Sequence, residues 1–455
     1  MDGKNDTGNM EVIIDNAQLI EKEIEWFEKL AHTSLTLYFN NESEVESIWD
    51  HIPPSVEDDE SQYGTLVKEH DLNFEQRLIL ILALMPHLKP QALDVFLIKN
   101  QNLNSEFSEF GGYKDSKRLG FNPTLETACF ILAGNDLEHR MRCMKMFNRN
   151  SVLFRKGILR YSSDQSFNLS EPLTISNEYF GLLINGKKQL PEYSMSFPAK
   201  EISTQMEWED LIVNDNVASS LLEIKDWLYH SELILHKWEL HKNLKKGYRV
   251  LFYGSPGTGK TLAATLLGKE TERPVFRVDL SLVVSKYIGE TEKNLGRLFD
   301  EAENKKWILF FDEADALFSK RTSTNSSNDR HANQEVAYLL QRIEDFSGLV
   351  ILATNLHGNI DEAFGRRFQS TIHFPKPGVK QRKRLWERLF SAMFKMGEGV
   401  QLDELASSYE LTGGEMINVL RYCALEAARR NEKKIELNDI LKGIRREYRK
   451  QNKTL

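Results

Sequence analysis

Residues 249–261, RVLFYGSPGTGKT, decide how the rest of this chain is read. The run 249–253 is short, apolar and β-type, and the segment LAATLLGKE at 262–270 has a helical composition. Between them Gly254, Ser255, Pro256, Gly257, Thr258, Gly259, Lys260 and Thr261 fit GxxxxGK[ST] in the strand–loop–helix setting that a phosphate-cradling loop requires. Its glycines let the backbone wrap closely with N–H groups turned inward, and the helix N-terminus adds positive potential. Lys260 is placed to reach the β- and γ-phosphates, and the Thr261 hydroxyl to ligate Mg²⁺. Leu262, the next helical residue, completes the candidate nucleotide-contacting stretch.

Working outward, the apolar run 307–311 (WILFF) ends in Asp312 and Glu313. A carboxylate at a strand end beside such a loop holds Mg²⁺, often through water, and the next carboxylate polarises the attacking water. The plainer alternative for this pair is an acidic helix cap. The loop and the metal-holding carboxylate are expected to emerge side by side from neighbouring strands. A third strand, 349–353 (LVILA), ends in Thr354 and Asn355. Asn355 is placed to meet the γ-phosphate or the attacking water, or else it forms a turn. Further on, DEAFGRRF (361–368) sets Arg366 and Arg367 before a strand at 370–374. Arginine supplies planar, permanently charged donors suited to a phosphate. With Lys260 already serving its own site, an arginine finger reaching a neighbouring subunit is the sharper reading; a surface salt bridge is the alternative.

From about Trp208, helix-like and strand-like segments alternate, the signature of an α/β layer on a parallel sheet. The region before it differs. Ile20, Ile24, Phe27 and Ala31 recur at helical spacing within 17–31, with Asn16 as a candidate cap. Helices are expected at 74–85 and 124–133, short β pieces at 157–161 and 173–176, and loops or linkers at 40–64 and 186–205. Helices followed by short strands are compatible with a winged-helix module. The expected division is 1–65, 66–200, 205–378 and 379–455.

Charge and cysteine content narrow the classes. Residues 1–200 carry 30 acidic and 20 basic side chains, and the remainder 37 and 39. An acidic front half is a poor surface for nucleic acid, which demands local positive charge, and the basic stretch 445–453 reads as a solvated helix end. Cys129, Cys143 and Cys423 are dispersed, which argues against zinc and disulfides and for a reducing compartment. The polar start lacks a secretory h-region, and the longest apolar run, 78–85, is too short to span a bilayer. A cytoplasmic chain with no membrane insertion is expected.

These elements, in this order, resemble the AAA+ superfamily, and within it the AAA group, over roughly 205–450. GSPGTGKT looks like Walker A, ILFFDEAD like Walker B, ILATN like sensor 1, and DEAFGRRF like an arginine-finger segment. The resemblance implies an αβα parallel-sheet domain, a small helical lid from about Val379, ATP and Mg²⁺ as cofactors, and a homo-oligomeric ring, usually a hexamer. It further implies that Tyr287, Ile288 and Gly289, within SKYIGE, form a pore loop that grips a polypeptide; burial at a strand end is the alternative. Gly413 and Gly414, in LTGGEM, would let the lid helix approach adenine and ribose, and Asp210 and Ile212, in DLIV, would lie against the base. Two departures stand out: the arginines are adjacent, and Met416 occupies the region where a sensor 2 arginine is usual.

A closer resemblance joins SKYIGETEKNLGRLFDEAENKKWILFFDEADALFSKRT, together with TLETACFILAGNDLEHRMRCMKMF upstream, to the single-ring ATPases encoded with phage-tail-like extracellular contractile injection systems. It implies a mostly helical, winged-helix-like N-terminal region and a protein client such as a tail-tube or sheath component. The function so implied is an ATP-hydrolysing ring motor that remodels or assembles protein complexes. A nucleic-acid-associated ATPase and an ATP-dependent structural switch are the alternatives.

Overall fold

The computed structural model describes the 455-residue chain apart from residues 1–2, 41–44, 103, 116–117, 149–150, 161–167, 188, 195–196, 281–289, 304, 316–326, 356–364, 392–393 and 451–455. It divides into two units, Met1–Pro191 and Glu192–Leu455.

The N-terminal unit is built on helices α1 (Gly3–Tyr38), α2 (Gln62–Glu69), α3 (Phe74–Leu88), α4 (Leu125–Ala133), α5 (Leu137–Met146), α6 (Val152–Arg155) and α7 (Asn177–Asn185). Three short antiparallel pairs accompany them: β1 (Lys99–Asn100) with β2 (Ser105–Glu106), β3 (Tyr113–Asp115) with β4 (Arg118–Asn122), and β5 (Leu159–Arg160) with β6 (Thr174–Ile175). Helix α3 starts from a reciprocal cap between Asn73 and Gln76, and its run from Leu78 to Met85 is buried on every side. Such all-round apolarity marks a helix enclosed by others rather than one facing solvent.

Helix α1 begins well before residue 17, so Asn16 caps nothing. Its buried amide instead donates to the Leu183 carbonyl at 2.9 Å and accepts from the Tyr63 N–H at 3.0 Å, tying α1 to α7 and α2. Nor do residues 1–65 stand apart from 66–200, because Ile20, Ile24 and Phe27 of α1 share one core with Leu78, Leu82 and Phe130.

The second unit carries a six-stranded sheet in the order β12-β8-β11-β10-β9-β7. Here β7 is Ala199–Ile202, β8 Tyr248–Tyr253, β9 Val275–Val278, β10 Ile308–Phe311, β11 Leu349–Thr354 and β12 Ser370–His373. Strands β8 to β12 are parallel, and β7 runs antiparallel on the edge beside β9. Strand β7 lies inside the stretch expected to be a linker. Its Lys200 and Glu201 are exposed, as suits an edge strand, and that polarity hid it; Ala199 is buried, and nearby Phe197 packs edge-on to Phe276. The strands bearing the phosphate loop and Asp312 are also not neighbours: β11 lies between β8 and β10. A strand arriving later in the chain is inserted between earlier ones, which opens a crevice at the carboxyl ends of the strands, where α/β sheets bind ligands.

Helices α8 (Asp215–Glu232), α9 (Lys260–Glu270), α10 (Glu290–Ala302) and α11 (Ser327–Asp345) accompany the sheet. A smaller helical part follows, with α12 (Val379–Trp386), α13 (Leu402–Ser408), α14 (Gly413–Arg429), α15 (Leu437–Lys450), and the short parallel pair β13 (Lys395–Met396) and β14 (Lys434–Ile435). Trp386, Phe390, Met416, Val419, Ile440 and Ile444 form its core. On α15 Ile440, Gly443, Ile444 and Glu447 are buried while Arg445, Arg446, Arg449 and Lys450 face solvent, so the basic side chains of 445–450 lie on the outer face of an amphipathic helix. Among the described residues no single helix is long and apolar enough to cross a membrane.

Candidate functional site

Strand β8 delivers the chain into the loop 254–259, and helix α9 begins at Lys260. Gly254, with φ 144°, passes so close to the end of β12 that a Cβ there would stand 2.1 Å from the Phe374 carbonyl oxygen. Gly257, with φ 74°, meets the lid: a Cβ would lie 2.8 Å from the Thr412 hydroxyl, and the Gly414 N–H donates to the Gly257 carbonyl at 3.0 Å. Both positions therefore need glycine for conformation and for space.

Lys260 is buried at the centre of the site. Its ammonium donates to the Gly254 carbonyl at 2.6 Å, the Ser255 carbonyl at 3.1 Å and Asn355 Oδ1 at 2.9 Å. Burial lowers its pKa below the ordinary lysine value, and the nearby Asp312 and Asp315 carboxylates act in the opposite sense. Asn355, brought in at the end of the inserted strand β11, thus meets the phosphate-loop lysine directly. The sequence reading assigned no part to Asp315, yet it fixes this strand end. It accepts from the Thr354 hydroxyl and, at 3.2 Å, from the Asn355 N–H. The signal lay in the spacing, since Asp315 follows Asp312 by three residues on a turn anchored by the Ala314 N–H to the Ala353 carbonyl at 2.9 Å.

Glu313 is exposed and holds a left-handed φ of 51°, with its N–H donating to Asp312 Oδ1 at 3.1 Å. Left-handed backbone is unfavourable for a residue with a Cβ and persists where the surroundings enforce it, often at functional sites. Here it holds the Glu313 backbone at the rim of a cavity of about 410 Å³. Pro256, Gly257, Thr258, Gly259, Lys260, Thr261, Leu262, Asp312, Glu313, Asn355, Asp210, Ile212, Gly413 and Gly414 all line that cavity. Gly254 and Ser255 do not line it; their carbonyls hold Lys260 from behind. Leu385, Leu389 and Ile417 of the lid also line it and had no signal in the sequence beyond their apolar character. Gly413 and Gly414 do keep a helix N-terminus close, but what Gly414 approaches is the phosphate-loop backbone, where its own Cβ would lie 3.0 Å from Gly257 Cα.

Asp210 joins the two parts of the unit. One carboxylate oxygen accepts from the Glu207 N–H at 2.8 Å and the other from Arg388 Nε, in the lid, at 2.7 Å. These donors, the backbone N–H first, hold its pKa below the usual aspartate value.

The donor set fits Mg²⁺. The Thr261 hydroxyl and Asp312 carboxylate are hard oxygens facing one cavity, and among the described residues no cluster of three or more His, Cys, Asp or Glu forms a dedicated cage. A single carboxylate suits an ion that keeps several waters and shares phosphate oxygens. When bound, Mg²⁺ neutralises charge on the phosphates.

Arg366 and Arg367 are exposed and line no part of this cavity. Arg367 pairs with Glu344, at the end of α11, at 2.8 Å. The candidate pore residues Tyr287, Ile288 and Gly289 lie outside the described residues.

Comparison with known proteins agrees with this geometry. The family model for the ATPase family associated with various cellular activities (AAA) matches residues 250–376. Cell division protein C of Sulfolobus acidocaldarius is 38% identical over 170 residues, covering 35% of this chain and 45% of that protein. The ATP-dependent zinc metalloprotease FtsH 2 of a Thermoanaerobacter species is 32% identical over 252 residues, covering 53% and 48%. The chain thus spans less than half the length of either. The uncharacterized AAA family ATPase y4kL of Sinorhizobium fredii is 31% identical over 236 residues, covering 51% of this chain and 67% of that protein. With that much of one relative matched and the family model centred on the sheet that carries Lys260 and Asp312, the chain belongs to the AAA family of ATPases, whose members use ATP with Mg²⁺.

Proposed function

We propose that this chain is a subunit of a cytoplasmic ATP-driven homo-oligomeric ring, hexameric in its closed form, that remodels or assembles protein complexes. One observation carries the reading. The cavity gathers a lysine, the metal-binding oxygens, the candidate water-polarising Glu313 and Asn355, yet among the described residues lining it there is no arginine. Phosphoryl transfer gains from an arginine that answers charge developing on the γ-phosphate. The exposed pair Arg366 and Arg367, placed away from the chain's own cavity, supplies that group to a neighbour. We assign Arg366 as the finger, with Arg367, which pairs with Glu344, steadying its segment. A ring of such sites moves the Tyr287 loop against a polypeptide. One relative is an ATP-dependent zinc metalloprotease by name, which is in keeping with a protein substrate. The N-terminal unit, with α4 to α6 followed by the β5–β6 pair as a winged-helix-like part, selects the client. That client belongs to a contractile injection particle.

Mixing tests the shared site. Lys260→Ala chains bind no nucleotide, and Arg366→Ala chains bind it without completing the next site. Hydrolysis is expected to reappear when the two are co-assembled, since some boundaries then pair an intact pocket with an intact finger. Normal turnover by Arg366→Ala alone, with no gain on mixing, overturns the ring reading. Glu313→Gln loaded with ATP should retain the client; recovery of proteins unrelated to tail tube or sheath overturns the injection-particle assignment.

A further inference from the structure

Lid residue Arg388 reaches Asp210, one of the residues lining the nucleotide cavity. It sits in a π-helical turn, Glu387–Ser391, that continues α12. Such turns are rare and frequent at functional sites. Leu385, Arg388 and Leu389 are spaced i, i+3 and i+4, so one helix face carries both cavity-lining leucines and the guanidinium. Arg388 Nε donates to Asp210 at 2.7 Å. Asp210 belongs to a loop fastened to the other side of the cavity. Lys269 of α9 donates to the Met206 carbonyl at 3.0 Å and pairs with Glu207 at 2.6 Å, and Trp208 donates to Glu270 at 3.1 Å.

We propose that the Arg388–Asp210 ion pair is a clasp that positions the lid over the base end of the site and sets how fast nucleotide leaves. Arg388 is a positioning residue. It is half exposed, and ion pairs in that setting contribute little to folding and are weakened by salt. A contact of that kind holds a lid shut while leaving it free to open. It rests on the reading of this cavity as the nucleotide site.

Dissociation of a fluorescent ADP analogue from the full-length protein, followed by stopped flow, tests the clasp. Arg388→Gln removes the charge. Asp210→Asn keeps an oxygen to accept from the Glu207 N–H and also loses its charge. Each is expected to speed release about fivefold, equivalent to about 1 kcal/mol, with the double variant no faster than either single one, because only one interaction is lost. Raising salt should speed release from the wild type and leave the variants unmoved. Additive effects, salt-independent release, or an Arg388→Gln off-rate equal to wild type overturns the clasp. A wild type that binds no analogue overturns instead the nucleotide-site reading beneath it.

Discussion

Both units of this protein bury arginine, and two of these side chains, Arg77 and Arg249, are answered differently. In the N-terminal unit Arg77 meets a carboxylate, Glu23, and the Pro54 carbonyl at 2.7 Å. In the ATPase unit Arg249, at the start of β8, meets neutral acceptors: the Glu344 carbonyl at 2.5 Å and the Gln369 side-chain oxygen at 3.2 Å. The first is a closed pair whose only business is internal. The second ties the strand that ends in the phosphate loop to the end of α11 and to the residue following the arginine segment. Polar burial in one unit specifies a core; in the other it places elements around a reaction.

The largest effect expected from breaking this contrast is chemical. Glu313→Gln should keep ATP binding and lower turnover by roughly 10²–10⁴-fold, the range for losing a positioned base, whereas Lys260→Ala should lose binding itself. Equilibrium binding and single-turnover hydrolysis separate the two. If only the lysine variant loses activity in the cell, nucleotide occupancy is what matters and hydrolysis is incidental.

Next comes the N-terminal pair. Arg77→Met leaves Glu23, fully enclosed by the core, without its partner. Removing one member of a buried pair costs about 3–5 kcal/mol. Denaturant unfolding of the whole chain should show that loss in the transition of this unit, while ATP affinity stays as in the wild type. A matching fall in ATP affinity would mean that Arg77 and Arg249 do not serve separate ends.

The same contrast explains what could be read in advance. The phosphate loop, Asp312, Glu313 and Asn355 are legible because catalysis fixes residue type and spacing along the chain, and each follows an apolar strand. Strand β9 and edge strand β7 went unread: exposed Arg277 breaks the apolar run of the first, and the second shows charged side chains to solvent. Asn16 looked like a cap because local sequence carries no trace of Tyr63 or Leu183, its partners far along the chain. Arg388 was invisible for the same reason, since its partner lies 178 residues away. The order β8-β11-β10 likewise depends on how crossovers stack, which no single strand encodes.

A smaller effect is expected at the seam between lid and phosphate loop. Gly414→Ala would place a methyl 3.0 Å from Gly257 Cα, against backbone that cannot swing aside. Overpacking of this kind costs about 1–3 kcal/mol, and here the strain falls on the bound geometry of the lid. ATP affinity measured by titration should therefore drop while the thermal transition of the N-terminal unit stays in place. Gly399 is the control for backbone strain alone: alanine there meets no neighbour but is strained by the φ of 79°, so it should cost stability without the drop in ATP affinity.

The smallest effect sharpens the comparison most. Glu344 serves twice, its carbonyl accepting from buried Arg249 and its carboxylate pairing with exposed Arg367. Glu344→Gln removes the second and the carboxylate's electrostatic support of the Arg249 charge, and keeps the first. An exposed pair is worth about 0–1 kcal/mol, so folding stability should barely move, and the end of α11 keeps its place because Arg249 holds the backbone, not the side chain. What changes is the tether on the arginine segment. Hydrolysis by the assembled protein should fall modestly while nucleotide affinity does not, and the fall should vanish in an Arg367→Ala background, where there is no tether left to lose. A fall of equal size in that background would place the role of Glu344 in its own unit's packing, on the same footing as the carboxylate of Glu23.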